Sequence, residues 1–490
     1  MKDQRLNGAH STKRTRHCEE LVATKQSLWY RCSIRGLPRF ARNDDILKIR
    51  SFATTTLGCK VNLFESGLIG HSLQNIDWQQ VGHTDHADLY IINTCTVTRE
   101  ADRQARQTVR RLIRQNPQSL IVVTGCYAQI SPEACADIPG VDLVLGNDRK
   151  LDLHDLLPDL MLGKLPPVLV GDVNEHVSLP ESIIESCDGH TRAFVQVQQG
   201  CNQGCTYCII HTARGPSRSI PITLIRRQIE RLVLNGYREI VLCGVDIGSY
   251  GYEPDNKQQY YNLATLLREV CSISGDFRLR ISSIDPSYLD TELIDVLAGE
   301  EKICSHFHLS LQSGNTLILK RMKRRYTAEL MYERVAALAE RIPNAVYGAD
   351  IMTGFPTESE QAFEDSISMI ERLNIAFPHV FSYSDRPGVP AARIPRQISH
   401  DIRKKRTRVL IETGEKVRDK LFIGALKKQH RVSVLIEKPE KNHPHQSFGR
   451  SAEYLPVVVQ GGNPVPGDLV YAQITGIEGA RLIAHLAPDR

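Results

Sequence analysis

The sequence has no apolar run approaching the roughly 18 to 20 residues that a membrane-spanning helix needs. Nor does any stretch join a basic start to an apolar core and a small-residue cleavage site. Both absences lead us to expect a soluble, cytoplasmic protein with no membrane partner. Methionine is missing from position 2 to position 160, and the first fifty residues lack any steady hydrophobic period. That segment, 1–50, carries 12 Lys or Arg against 5 Asp or Glu. It reads as a basic extension outside the fold: a transit peptide, a disordered arm, or translation from a start placed too far upstream, with Val22 or Leu47 at the true start. Basic character is lacking elsewhere. The segment's surplus of +7, set against a total of +5, leaves about −2 for the remainder. RNA binding by such a body would rest on local patches such as 320–325 and 403–408, each of which could equally be a solvated helix face.

What is present is cysteine in patterns. A chain of 490 residues with 41% hydrophobic content implies two or three soluble domains, and six of its 13 cysteines fall into two sets. The rest, Cys18, Cys32, Cys135, Cys187, Cys243, Cys271 and Cys304, read as reduced thiols. The run Gly200-Cys-Asn-Gln-Gly-Cys-Thr-Tyr-Cys208 offers three thiolates, Cys201, Cys205 and Cys208, from one tight loop and no fourth. Thiolates are the usual ligands of iron–sulfur clusters, and three of them leave one iron of a 4Fe-4S cluster open to a small molecule. The other reading is a Cys3His zinc site completed by His211, three residues after Cys208.

A second set argues for clusters. Cys59, Cys95 and Cys126 each stand at the C-terminal end of a short β-branched run, at 51–58, 88–94 and 120–125. Helix-length stretches at 63–75 and 98–115 lie between these runs, so the order is strand, helix, strand, helix, strand. In a parallel sheet, ligands bind beyond the carboxyl ends of the strands, where neighbouring strands are about 5 Å apart. Each cysteine alone could be a packing residue, but three at equivalent strand ends form a ligand set.

The 201–208 spacing resembles the radical S-adenosylmethionine (SAM) superfamily. The runs Leu57-Gly-Cys-Lys-Val-Asn62, Asn93-Thr-Cys-Thr-Val-Thr98 and Thr124-Gly-Cys-Tyr-Ala-Gln129, followed by that motif, are similar to its methylthiotransferase family. Within that family they look most like the branch acting on N6-threonylcarbamoyladenosine in tRNA, and Lys60-Val61 and Thr96-Val97-Thr98 point the same way. The likeness runs from about Ser51 to the C-terminus, and departs from the family at His211, where proline is usual.

The resemblance implies two 4Fe-4S clusters, one on Cys59, Cys95 and Cys126 and one on Cys201, Cys205 and Cys208. It further implies one SAM that methylates sulfur on the first cluster, and another that yields a 5′-deoxyadenosyl radical at the second. The methylthio group would then enter C2 of the adenosine at position 37, in the anticodon stem-loop of the tRNA partner. An electron donor such as flavodoxin or ferredoxin is implied, and the sulfur donor is left open. Other substrates compatible with the motifs are isopentenyl-adenosine in tRNA and a ribosomal protein, and a non-catalytic zinc-containing RNA-binding protein is the reading from another class.

The expected fold class is α/β. A parallel-sheet α/β domain at 51–160 holds the first triad and ends in a strand at 142–145, and a Pro- and Gly-punctuated linker follows at 161–188. A radical SAM domain at 189–421 is expected as an open (β/α)6 three-quarter barrel. Its strands are expected at 193–198, 239–244, 278–282, 306–312, 346–353 and 379–383, and its helices include 221–235, 263–272 and 359–373. Six βα units are fewer than the eight that close a TIM barrel. By resemblance, SAM would be held at the strand ends by Gly244, Asp246, Ser283, Gln312, Ser313 and Gly354. A charged helix at 401–421 leads to 422–490, where apolar alternation at 432–437, 454–460, 468–475 and 481–485 suggests a small all-β barrel. That barrel resembles the RNA-binding TRAM domain.

Overall fold

The computed structural model describes residues 50–175, 183–187, 189–252, 261–441, 443 and 445–488. The 1–50 extension lies outside them apart from Arg50. The chain divides into two units, Met1–Lys48 with Asp155–Leu165, and Ile49–His154 with Pro166–Arg490. Of the first, only Asp155–Leu165 is described, forming most of helix Leu153–Met161 and a Lys164–Asp159 ion pair at 3.8 Å. The second carries all that follows.

Six strands, β1 (Arg50–Thr56), β2 (Trp78–Gln80), β3 (Leu89–Thr94), β4 (Leu120–Gly125), β5 (Leu143–Leu145) and β6 (Val168–Leu169), form one parallel sheet in the order β2-β1-β3-β4-β5-β6. Every residue of β3 and β4 is buried, as expected where helices cover both faces and strands read as continuous apolar runs. Helix Arg99–Gln115 shows how sequence sets its bounds. Thr98 caps it by accepting from the Ala101 amide, Glu100 and Asp102 occupy the positive first turn, and Ala105, Val109 and Leu112 form the buried stripe. β2 and β6 have three and two residues, too few to show a period. Val168–Leu169, read above as linker, in fact extends the sheet by pairing with β5.

The central strands are β7 (Ala193–Gln199), β8 (Arg218–Ser219), β9 (Glu239–Gly244), β10 (Arg278–Ile281), β11 (His306–Gln312), β12 (Val346–Thr353) and β13 (Ile375–Ser382). β7, β9 and β10 are parallel, as are β11, β12 and β13. Bridges Leu279↔Ile303 and Ile284↔Leu309 carry the succession from one group to the other. β8 is a short antiparallel edge on β7. Among the described residues no pairing joins β13 to β7, so the six βα strands form an open barrel. β13 begins at Ile375, ahead of the expected strand at 379–383.

Helix His400–Lys427 packs on β13 and leads to β14 (Arg431–Pro439), β15 (Gln446–Ser451), β16 (Pro456–Gln460), β17 (Leu469–Glu478) and β18 (Arg481–Leu486). These close into a barrel in the order β14-β15-β16-β18-β17. β15 carries one large apolar residue, Phe448, and so lacks the alternation that marks the other four. The barrel is docked by two buried arginines of β10. Arg278 donates to the carbonyls of Ser433 and Arg450, both at 2.8 Å, and Arg280 to those of Ala452 and Ser451 at 3.0 and 3.1 Å. Glu239 pairs with both arginines at 2.6 and 2.7 Å, so neither guanidinium is buried without an anionic partner, which would be costly. No helix among the described residues is long and apolar enough to cross a membrane.

Candidate functional site

The order β2-β1-β3-β4-β5 reverses between β1 and β3, the place where open parallel sheets bind ligands. Registers Thr56↔Asn93 and Thr94↔Gly125 bring the ends of β1, β3 and β4 level, and Cys59, Cys95 and Cys126 follow those ends. Gly58 (φ +98°) turns the chain towards Cys59, and a Cβ there would lie 2.5 Å from Cys95 Cβ. Gly125 (φ +92°) does the same before Cys126, where a Cβ would lie 2.4 Å from the Thr94 carbonyl. Glycine is thus required on two of the three approaches. Burial pushes the Cys95 thiol up to about 12, and Cys126 and Cys59 add to the rise.

The second triad occupies the loop after β7. The Cys201 amide donates to Gly215 O at 3.1 Å. Several donors point at sulfur: the Gln203 amide at Cys201, the Ile210 amide at Cys208 and Arg324 Nη1 at Cys205, each at 3.4 Å. Such bonds favour thiolate, whereas burial favours thiol. Burial pushes Cys208 up to about 11, and burial followed by Asp246 raises Cys201. A coordinated metal reverses that balance, because a ligating thiol is deprotonated outright. The described cysteines are all free of disulfides.

Both donor sets fit a cluster, in which each thiolate serves a different iron. Among the described residues no three His, Cys, Asp or Glu side chains are arranged to hold a single ion. His211, the fourth ligand of the zinc reading, lies in helix Ile210–Arg214 with Nδ1 buried and unpartnered.

The residues expected to hold SAM stand at the ends of β9 to β12, in differing surroundings. Asp246 accepts from Tyr288 at 3.1 Å and Gln203 at 3.4 Å, and the Cys201 thiol lies 3.8 Å away. Burial, reinforced by Asp285, raises its pKa. Gln312 is left-handed (φ +62°) and its buried Oε1 has no partner, as is true of Ser282 Oγ beside Ser283. Strain and orphaned buried polar atoms are costly without a ligand, and these two fit a zwitterionic one. Ser313 accepts from the Asn315 amide at 3.2 Å, Gly244 lies against Gln198, and Gly354 (φ +72°) lies against Arg403, so these three have local structural roles.

Sequence reasoning passed over Gln203, Asp285 and Arg324. Gln203 bridges Asp246 and Asp285, and Arg324 pairs with Asp285 while donating to Cys205. Asp285 follows the end of β10 closely, a strand-end position that could have been read with Ser282 and Ser283. Arg324 belongs to the patch 320–325 but its side chain is only 7% exposed. In 403–408, Arg406 is likewise buried, paired with Glu358 and Glu360. Only part of each run faces solvent: Lys320, Lys323 and Arg325 in the first, and Lys404, Lys405 and Arg408 in the second, are exposed.

The two triads are tied together at Arg214. It donates to Glu65 at 2.8 and 3.0 Å, to Gln199 at 2.8 Å and to Asn62. Lys150 meets the same carboxylate at 2.5 Å and donates to Asn147 at 2.8 Å. Asn147 in turn donates to Ala213 O at 2.7 Å and lies 3.8 Å from Cys126 Sγ.

Two family models match in succession: "Uncharacterized protein family UPF0004" over residues 51–146, and the radical SAM superfamily over 195–370. The chain is 38% identical, over 79% of its length and 93% of the relative's, to threonylcarbamoyladenosine tRNA methylthiotransferase MtaB of Aquifex aeolicus. The chain belongs to the radical SAM methylthiotransferases. The Bacillus subtilis relative of the same name is 36% identical over 86% of this chain and 92% of its own. The tRNA-2-methylthio-N(6)-dimethylallyladenosine synthase of Fusobacterium nucleatum is 32% identical over 86% of this chain and 95% of its own. The methylthiotransferase fold is also similar to that of the radical SAM methyltransferase TsrM of Kitasatospora setae, solved with cobalamin and a [4Fe-4S] cluster (TM-score 0.52, 14% identity, 70% of this chain and 77% of that one).

Proposed function

We propose that this radical SAM tRNA methylthiotransferase modifies C2 of N6-threonylcarbamoyladenosine at position 37 of the anticodon stem-loop. In this reading Cys59, Cys95 and Cys126 hold one 4Fe-4S cluster and Cys201, Cys205 and Cys208 the other. When bound, the clusters and SAM supply the methyl group, the electron and the hydrogen abstraction that an adenine C2–H demands, since no side-chain base can deprotonate it.

The chain's own residues do the positioning. Gly58, Gly125 and Gly200 let the thiolates approach, and the amides of Gln203 and Ile210 with Arg324 direct N–H groups at sulfur. Asp246, Gln312 and Ser282 offer polar atoms to SAM, with Ser283, Ser313, Gly244 and Gly354 shaping the strand ends. A base in a loop can be splayed into the opening between the triads. The exposed lysines and arginines of 320–325 and 403–408, with the C-terminal barrel as a TRAM-like module, hold the RNA backbone. A flavodoxin- or ferredoxin-type protein supplies electrons in the cytoplasm.

The observation that carries this reading is the pair of cysteine triads at the carboxyl ends of two parallel sheets, joined through Arg214 and Asn147. The test is mass spectrometry of tRNA nucleosides from cells lacking the gene. The 2-methylthio derivative of threonylcarbamoyladenosine should disappear and return on complementation. Loss of the dimethylallyl derivative instead would assign the other tRNA substrate, and no change in either would refute a tRNA role.

A further inference from the structure

Inside the open barrel lies a cavity of about 410 Å³, within the ~300–1,000 Å³ range of small-ligand sites. Four parts of the chain wall it, one of them helix His400–Lys427 through Ile411, Glu415 and Arg418. Lys60 comes from the helix that begins after Cys59, Arg192, Arg280, His306 and Phe377 come from the central strands and their approaches, and Tyr454 comes from the C-terminal barrel. Tyr454 stacks on His306 with ring centroids 4.8 Å apart, and the Arg280 and Arg192 guanidiniums lie 5.0 and 5.7 Å from its ring centre.

These groups are not equally satisfied. Glu239 answers Arg280, and Glu437 answers Arg192 at 3.1 Å. Lys60 opens on the cavity and makes no hydrogen bond or ion pair among the described residues. His306 is 6% exposed, and neither ring nitrogen has a partner. The unpaired buried imidazole beside an aromatic face carries a desolvation cost that a ligand removes, and the exposed Lys60 brings a free ammonium to the same cavity. The matching ligand has a carboxylate close to a polar amide or hydroxyl group. The threonylcarbamoyl arm has both, whereas a dimethylallyl arm would gain nothing from Lys60 and leave His306 unpaired, and is disfavoured for that reason.

We propose that this cavity receives the threonylcarbamoyl arm, with its carboxylate on Lys60 and its carbamoyl or hydroxyl group on His306, and that Lys60 is the residue distinguishing this base from adenosines without the acid. The inference rests on the methylthiotransferase reading, since Cys59 sets Lys60 beside the reacting base. It gives the Lys60-Val61 signature, which the sequence offers only as a family mark, a physical task.

The test uses reconstituted full-length protein and synthetic anticodon stem-loops. Position 37 carries threonylcarbamoyladenosine, its carboxyl methyl ester, dimethylallyladenosine or plain adenosine. Binding is read by fluorescence anisotropy and product by mass spectrometry. Wild-type protein should bind the acid about tenfold or more tightly than the ester, as expected for a charge-assisted bond. Lys60→Met should bind acid and ester equally, and Lys60→Arg should recover part of the preference. Equal binding of acid and ester by wild type, or a preference undiminished in Lys60→Met, overturns the proposal. The ester comparison needs no variant, so a folding defect in Lys60→Met cannot mask the result. Failure of wild type to methylthiolate the threonylcarbamoyl loop would overturn the function itself, while the binding ratios still decide what the cavity holds.

Discussion

Arg214 and Glu65 form an ion pair at 2.8 Å between side chains 1% and 3% exposed, although 149 positions separate them in the sequence. One residue closes the helix after the second cysteine triad and the other lies in the helix after the first cysteine of the other. With Lys150 on the same carboxylate, two cations meet one anion, leaving a net positive charge beside Cys126.

Glu65→Gln should therefore be strongly destabilising. It strands two buried cations, and breaking such a pair costs about 3–5 kcal/mol, measurable by chemical denaturation. Burial alone would raise the Glu65 pKa, but Arg214 and Lys150 outweigh it and hold it at about 2 instead of 4.5. A depressed carboxylate stabilises the fold above its unfolded pKa. The contribution, on the order of 3 kcal/mol, should be intact above about pH 4.5 and lost as pH falls towards 2. Glu65→Gln should flatten the stability profile in that window, and an unaltered profile would show that the pair adds nothing.

Iron content tests the independence of the two triads. Reconstituted protein should bind about eight irons, and the triple replacement of Cys201, Cys205 and Cys208 by Ala should remove about four. Loss of all iron in that variant would mean that the sites assemble as one.

Division of labour is tested by Cys59→Ala. Reductive cleavage of SAM to 5′-deoxyadenosine should persist while methylthiolated tRNA disappears. Wild-type amounts of product would make Cys59 a packing residue.

Gly200 (φ +73°) is the tightest point of the radical loop, since a Cβ there would lie 1.9 Å from Pro216 O. Gly200→Ala should cost about 1–3 kcal/mol or more and lower iron binding at the second triad while sparing the first. Full iron and wild-type stability in the Gly200→Ala variant would contradict that geometry.

Phosphate contacts by the C-terminal barrel can be tested without removing it. Lys438 and Lys441 are exposed, and the double change to Glu should weaken tRNA binding and reduce the slope of log K against log salt by about two. An unchanged slope would assign that face to another partner.

The sheets are legible in the sequence because β1, β3, β4 and the central strands are runs of apolar and β-branched residues whose periods survive without tertiary context. β2, β6 and β15 are not, being short or, as in Gln446–Ser451, nearly devoid of large apolar residues. The cysteine triads stand out because ligand spacing is local in one and repeats at strand ends in the other. Glu65, Lys150 and Arg214 look like ordinary surface charges until the fold buries them together. Arg324 and Arg406 mislead for the same reason, since a run of basic residues does not reveal which members find a carboxylate. Tyr454 gives no signal at all, for its role depends on a loop (φ +66°) that carries its ring to His306.

The docking of β10 onto the carbonyls of Ser433, Arg450, Ser451 and Ala452 has a consequence for how such enzymes can diverge. At those four positions β10 meets the barrel through main-chain oxygens, which tolerate varied side chains, whereas Arg192 with Glu437 and Tyr454 with His306 tie the joint to particular residues. The loop that follows those oxygens places Tyr454 against the substrate cavity. An exchange of barrels between relatives that keep Glu437 and Tyr454 would therefore preserve the joint and yet bring a foreign wall to the cavity. Hybrid enzymes made this way should fold, and their choice of base should follow the donor of residues 450–455 along with the donor of the cysteines.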